Sequence, residues 1–257
     1  MVLSGFRKEI PMKPIISPVG DCAISIDFGQ VIDPKINRHI RQTIERIQAL
    51  QLDGIIELVP TYCALLLQYD AMLYSYEELC NIIEPTLEQT VTDNANELVT
   101  VVEIPTVYGG EFGPDLGFVA SHNNLTEDEV VAIHSGTDYL VYMLGFIPGF
   151  TYLGGMDPRI ATPRLSSPRT LIPAGSVGIA GAQTGTYPSD SPGGWQIIGR
   201  TPVTMYDMSK KQAALLSAGD YVRYVSIDEA EYNRINALGA EYAPSMYEVE
   251  VGELRGY

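Results

Sequence analysis

The sequence predicts an α+β N-terminal domain over residues 1–95 followed by a mainly-β barrel domain over residues 96–257. Three observations carry that expectation. Strand and helix signals alternate through the first 95 residues, and a polar stretch at residues 92–97 reads as a linker. Residues 145–202 then hold 11 of the 24 glycines and 8 of the 17 prolines, with neither Lys nor Glu among them. Gly and Pro disfavour helix interiors by about 1 and 3 kcal/mol, so this stretch has to be short strands joined by tight turns, closed as a barrel or stacked as a sandwich.

The individual elements follow in order. Apolar and polar residues alternate over 23–28, a strand ended by Gly29. Asp33-Pro34 supplies an N-cap with Pro at the first helical position, and Ile36, Ile40, Ile44, Ile47 and Leu50 then recur on one helical face. Residues 55–59 and 62–69 read as two strands around a Pro60-Thr61 break, and Ser75-x-x-Glu78 opens a second helix through a capping box. In the second half, residues 98–107 are a strand and Thr126-x-x-Glu129 caps a helix that ends at His134. Ser226-x-x-Glu229 predicts a terminal helix, followed by an arm packed on the surface or on a neighbouring chain. There is no internal repeat and no low-complexity segment.

Composition excludes several classes of function. With 257 residues and 46% hydrophobic content the chain can bury a large core. Its 16 basic and 32 acidic side chains give a formal charge of -16, which repels nucleic acid and anionic membrane surfaces. No apolar run reaches the ~20 residues that span a bilayer, and the first residues lack the apolar stretch of a secretion signal, so a cytoplasmic protein is expected. Cys22, Cys63 and Cys80 show no C-x-x-C spacing and are expected as buried structural thiols. His39, His122 and His134 form no ligand pair, so no metal is expected.

Chemistry concentrates in residues 145–202, whose only charged side chains are Arg159, Arg164, Arg169, Arg200, Asp157 and Asp190. This reverses the sign of the chain locally. The guanidinium fork grips carboxylate or phosphate in bidentate fashion, and glycines let backbone N–H groups come close to the same anion. The catalytic candidates are Arg159, Arg164 and Arg200 for the anion, Gln183 and Tyr187 as neutral donors, and His134 as a proton carrier or a helix-terminal His held by the macrodipole. Gly193 and Gly194 are the cofactor-binding candidates, and Trp195 suits either a core position or a stacking wall. No G-x-x-x-x-G-K-[ST] occurs, so there is no standard P-loop, and Ser176 follows Gly175 directly, which rules out a nucleophile elbow.

The same region carries a family resemblance. Val141-Tyr-Met-Leu-Gly-Phe-x-Pro-Gly-Phe150-x-Tyr-Leu-Gly-Gly155, Asp157-Pro-Arg159, Thr162-Pro-Arg164, Pro173-Ala-Gly-Ser-Val-Gly-Ile-Ala-Gly181, Gln183-Thr-Gly185, Tyr187-Pro188 and Ser191-Pro-Gly-Gly-Trp195-x-x-x-Gly-Arg-Thr-Pro202 stand in order. Together they resemble the family of 5-oxoprolinase B subunits, also described as the KipI family or allophanate hydrolase subunit 1, within the carboxyltransferase subdomain C and D group. Gly20-Asp21, Phe28-Gly29, Val59-Pro60-x-Tyr62 and Tyr69-Asp70 extend the likeness through the first half. The resemblance implies a small α+β domain followed by a cyclophilin-like barrel. It also implies an ATP-dependent amide-cleaving enzyme that opens the small molecule 5-oxoproline to glutamate. C-like and A-like 5-oxoprolinase partners would join it, and ATP with Mg would sit on this or another member of the complex. Two alternatives travel with it: an inhibitor of a sporulation histidine kinase, and a carboxyltransferase or allophanate-hydrolase-type subunit of urea metabolism. Peptidyl-prolyl isomerisation would rest on fold alone. Cys63 and the acidic end after Ser226 depart from the family pattern.

Overall fold

A computed structural model of the chain describes residues 13–88 and 97–256. Two compact units make up the chain, Met1–Asp93 and Asn94–Tyr257. The expected boundary at residue 95 and all but the last residue of the expected linker at 92–97 lie outside the described residues, as do residues 1–12.

The N-terminal unit is a four-stranded antiparallel sheet with two helices. Its strands are β1 (Ile15–Val19), β2 (Ala23–Asp27), β3 (Ile55–Pro60) and β4 (Ala64–Tyr69), in the order β1-β2-β4-β3. The mostly exposed β1 has no apolar alternation to announce it, which is why the sequence reading misses it. Helix α1 (Pro34–Ala49) starts where Asp33 accepts from the backbone N of Lys35 at 2.7 Å, and α2 (Tyr76–Leu87) starts at the Ser75–Glu78 capping box. Alternate residues of the central strands, Ile24, Ile26, Leu65 and Leu67, bury against Ile36, Ile40 and Ile47 of α1 and Leu79 and Ile83 of α2. A period of two thus meets a period of 3.6 across one interface. The thiols differ from expectation: Cys22 is exposed and Cys63 and Cys80 are half-buried. Cys22 falls in the β1–β2 turn and Cys63 in the β3–β4 turn, off the core face, with Cys63 Sγ donating to Val31 O at 3.0 Å.

The C-terminal unit is built on eight strands: β5 (Leu98–Tyr108), β6 (Asp138–Leu144), β7 (Thr151–Gly154), β9 (Ser176–Ala180), β10 (Gln183–Thr186), β12 (Gln196–Arg200), β13 (Tyr221–Ser226) and β14 (Met246–Glu250). Their order is β10-β9-β12-β5-β13-β6-β7, and β14 joins β5. The two end strands come close, since a Cβ added to Gly185 of β10 would lie 3.2 Å from the carbonyl oxygen of Thr151 in β7. The sheet is therefore a nearly closed barrel. A separate ribbon pairs β8 (Arg169–Ile172) with β11 (Ser191–Gly193). As the Gly and Pro content requires, β7 to β12 are only three to five residues long. Gly199 shows one reason: a Cβ there would fall 2.6 Å from the carbonyl oxygen of Val107, too close for β12 to pair with β5.

Helices α3 (Leu116–His122) and α4 (Glu127–Ser135) contribute Leu116, Val119 and Val130 to a core that includes Val102, Ile104, Val141, Val177, Ile179, Ile198 and Val222. The expected Thr126–Glu129 capping box forms. The one expected at Ser226 does not, because Ser226 is still paired in parallel register with Thr106. Asp228 caps α5 (Glu229–Leu238) instead, accepting from Glu231 N at 2.8 Å. The expected arm is strand β14, antiparallel to the start of β5 in the chain's own sheet.

One ion pair ties four of these strands. Arg223 of β13 donates from Nε and Nη2 to the two carboxylate oxygens of Asp138 in β6, both at 2.6 Å, and from Nη1 to the hydroxyl of Tyr247 in β14. Tyr247 donates in turn to Glu103 of β5 at 3.0 Å, and Asp138 also accepts from Arg255 N at 2.8 Å. The Asp138 side chain is fully buried and that of Arg223 is 9% exposed. Removing one partner strands the other charge, so Asp138→Ala is expected to cost about 3–5 kcal/mol in urea unfolding. The Asp138→Ala/Arg223→Leu double variant should lose less than the sum of its singles.

Candidate functional site

Strand β11, the loop before β8 and the turn between β6 and β7 border a hollow of about 330 Å³. Its walls are the rings of Phe150, Tyr152, Tyr187 and Trp195, with Phe146 also in the lining. The Phe150 ring centre lies 5.6 Å from those of both Tyr187 and Trp195, at interplanar angles of 75° and 86°. Edge-to-face packing of this kind holds each ring in one orientation. Trp195 is 6% exposed, so it serves both as core and as wall. The floor requires glycine: a Cβ on Gly193 would stand 2.5 Å from Tyr187 Oη and 2.7 Å from Ile172 Cδ1.

Arg164 is the one cation of the lining. Its backbone neighbours are tied on both sides to the residues that flank Trp195. Gln196 Nε2 donates to Pro163 O at 2.9 Å, and Leu165 N donates to Gly194 O at 2.7 Å. The guanidinium carbon sits 5.9 Å from the Trp195 ring centre, a cation–π distance. Among the described residues, no carboxylate pairs with it and no group hydrogen-bonds to the Tyr187 hydroxyl. Burial pushes the Tyr187 phenol up to about 12 against the opposing pull of Arg164, so it remains an O–H donor.

Of the candidates read from the sequence, the structure brings Arg164, Tyr187, Gly193 and Gly194 together in this hollow and leaves the rest outside it. The four guanidiniums do not share one concavity. Arg159 is exposed and already grips Asp157, with Nε at 3.0 Å and Nη2 at 2.6 Å, which holds that carboxyl below its ordinary range. Arg169 grips Asp115. Arg200 stands over the Phe112 ring at 5.9 Å with its Nε buried. Gln183 pairs with Ala180 at the start of β10. The separation has a simple cause: each arginine stands on a different strand or turn, and two of them meet an internal carboxylate first.

His134 is corrected more sharply. Its ring is fully buried inside the barrel, 2.8 Å from Tyr108 Oη at Nδ1 and 2.8 Å from Thr184 Oγ1 at Nε2. Thr184 spends its own proton on Gly178 O at 3.1 Å, so it accepts from Nε2–H, and Nδ1 accepts from Tyr108. Both ring nitrogens are satisfied in the neutral form, and burial lowers the pKa to about 3. The ring thus belongs to the barrel interior and is not part of the lining of the hollow.

Asp115 is the residue that sequence reasoning missed. It is 8% exposed and accepts from Arg169 Nη1 at 2.9 Å, Arg169 Nη2 at 2.7 Å and Ile197 N at 2.6 Å. One carboxylate therefore joins the β8–β11 ribbon to β12, next to Trp195. It stands at the N-cap position of α3, yet its side chain makes no capping bond, both oxygens being engaged by Arg169 and Ile197 instead. Another hollow, about 420 Å³, lies between the end of α1 and β3 and has no cationic side chain in its lining.

The family described as "Carboxyltransferase domain, subdomain C and D" matches residues 14–216. The chain belongs to that family. It is 45% identical to the 5-oxoprolinase B subunit of Bacillus subtilis over 228 residues, 85% of this chain and 95% of that protein. It is 53% identical to the 5-oxoprolinase B subunit of Escherichia coli O157:H7 over 124 residues, 48% of this chain and 57% of that protein. Among solved structures, the Kluyveromyces lactis urea amidolyase aligns with a TM-score of 0.75 over 96% of this chain and 17% of its own, at 21% identity, a likeness of fold alone. All residues of the hollow in this carboxyltransferase-family chain fall within the matched span, whereas β13, α5 and β14 lie beyond it.

Two outcomes follow from this geometry. Asp115→Ala frees Ile197 N and a partly solvated Arg169, and is expected to cost about 2–3 kcal/mol, with a red shift of Trp195 emission as its wall loosens. For His134, the unfolded chain takes up a proton near pH 6.5 and the folded chain only near 3, so the unfolded state binds more protons between them. Stability is therefore full above the unfolded value and falls on acidification, by up to about 1.4 kcal/mol per pH unit from this group. Urea midpoints measured from pH 7 to 4 should show a shallower slope in His134→Gln.

Proposed function

We propose that this chain is the B subunit of an ATP-dependent 5-oxoprolinase, an amidohydrolase that opens 5-oxoproline to L-glutamate with partner subunits. The observation that supports it is the 45% identity spanning 95% of the B subunit from Bacillus subtilis. Ring opening adds one water across the lactam C–N bond, so that the carbonyl carbon becomes a carboxylate and the ring nitrogen an amine. Amide resonance makes that carbon a poor electrophile, which is why the reaction is coupled to ATP.

The residues of this chain do not fit the Mg–nucleotide itself. A triphosphate with its metal needs several cations and oxygen ligands in one place. The hollow has one guanidinium, residues 145–202 contain no lysine, and no P-loop is present. Among the described residues no group of three or more His, Cys, Asp or Glu is placed to hold a metal. In this reading an A-like or C-like partner holds ATP and Mg, and the present chain contributes Arg164, Tyr187 and the Gly193–Gly194 backbone. The barrel is the cyclophilin-like domain of the family, and the assembly works in the cytoplasm. No helix of the described residues is long and apolar enough to cross a membrane.

A urea-directed carboxyltransferase is the second reading, favoured by 26% identity to the Lachancea kluyveri urea amidolyase over 88% of this chain. Reconstitution with A-like and C-like partners decides between them. The expected result is ATP-dependent glutamate release from 5-oxoproline that disappears when this chain is omitted. ATP-dependent consumption of urea with no glutamate release would favour the second reading and overturn the first.

A further inference from the structure

Two polar groups in the lining of the hollow lack a partner among the described residues, and they differ in kind. The Arg164 guanidinium is exposed and charged, whereas Arg159, Arg169, Arg223 and Arg234 are each held by a carboxylate. Tyr187 is 2% exposed, and its hydroxyl stands over Gly193 in the lining. That hydroxyl has no partner among the described residues, so its proton is free for a guest in the hollow. Both groups border Trp195: the guanidinium carbon is 5.9 Å and the Tyr187 ring 6.1 Å from its centre. A guest lying on the Trp195 and Phe150 rings would meet both a cation and a neutral donor.

We propose that this hollow is a recognition site for a small cyclic carboxylic acid bearing a ring carbonyl. The carboxylate pairs with Arg164, the ring packs on Trp195 and Phe150, and the carbonyl oxygen accepts from the Tyr187 O–H. Identifying that acid as 5-oxoproline rests on the function proposed above. The geometry argues against a nucleotide here, because a single guanidinium matches one carboxylate and not a triphosphate. Gly193 acts as a specificity element: any side chain there displaces the Tyr187 hydroxyl.

Trp195 is the only tryptophan of the chain, so its emission reports directly on the hollow. The full chain, alone, is titrated with 5-oxoproline, 2-pyrrolidinone, L-proline and Mg-ATP. The expected result is a saturable change with 5-oxoproline, at least tenfold weaker with 2-pyrrolidinone, which lacks the carboxylate, and with proline, which lacks the carbonyl, and absent with Mg-ATP. Arg164→Gln should weaken 5-oxoproline binding at least tenfold, with Arg164→Lys intermediate. Tyr187→Phe should weaken 5-oxoproline but not proline. In the reconstituted complex, Arg164→Gln should raise KM for 5-oxoproline and leave KM for ATP unchanged. An unchanged KM for 5-oxoproline in an active Arg164→Gln complex overturns the site and leaves the proposed function standing. Saturable 5-oxoproline binding to the chain, with no glutamate release from the wild-type complex, does the reverse. Binding of Mg-ATP at the same Trp195 signal, or equal affinity for 2-pyrrolidinone, also overturns the proposal.

Discussion

Asp115 takes three N–H groups onto one carboxylate, two from Arg169 and one from the backbone of Ile197. The candidate site depends on that clamp. Arg169 belongs to the ribbon and Ile197 to the barrel strand that follows Trp195, so the carboxylate ties the ribbon to the barrel beside the hollow. With Asp115 only 8% exposed, little water competes for its oxygens. Charge-assisted bonds in such surroundings are shorter and stronger than neutral ones. A second clamp, Gln196 on Pro163 O and Leu165 on Gly194 O, then fixes the loop that presents Arg164. The guanidinium itself lines the hollow with no carboxylate partner among the described residues.

The same logic runs through the middle of the barrel. Arg223 and Asp138 are desolvated together and satisfied by each other, by Tyr247 and by Arg255 N, so neither charge is stranded. The pair joins β6, β13 and β14, and Tyr247 passes it to Glu103 of β5. Strands β13 and β14 come from beyond the residues that match the family, yet β13 lies between β5 and β6 in the sheet. The acidic C-terminal end is thus part of the C-terminal unit's own sheet.

Local charge reversal in residues 145–202 pointed to an anion site, and the structure sets the four arginines apart. Arg159 and Arg169 are satisfied internally, Arg200 lies on a different ring, and Arg164 remains available. Counting arginines overstated the free charge because Arg159 is held by Asp157 within the segment, and Arg169 by Asp115, which a count restricted to that segment does not include. His134 failed for a related reason. Its place at the end of a helix was legible, but whether the ring pointed out to solvent or in among Tyr108, Tyr139 and Tyr224 was not.

Periodicity and local chemistry by themselves determined the strands and helices of the N-terminal unit apart from β1, the capping boxes at Ser75 and Thr126 and the short-strand character of residues 145–202. These are readable because a helix start or an alternating strand is decided by neighbours within about four residues. Only the tertiary structure decided that Asp115 serves Arg169 and Ile197 rather than its own helix, that Ser226 stays in the sheet and cedes its cap to Asp228, and that Arg164 is the arginine left facing the hollow. Each of those outcomes is a competition between a local partner and one tens of residues away, and the winner is set by which side chains the barrel brings within hydrogen-bonding distance.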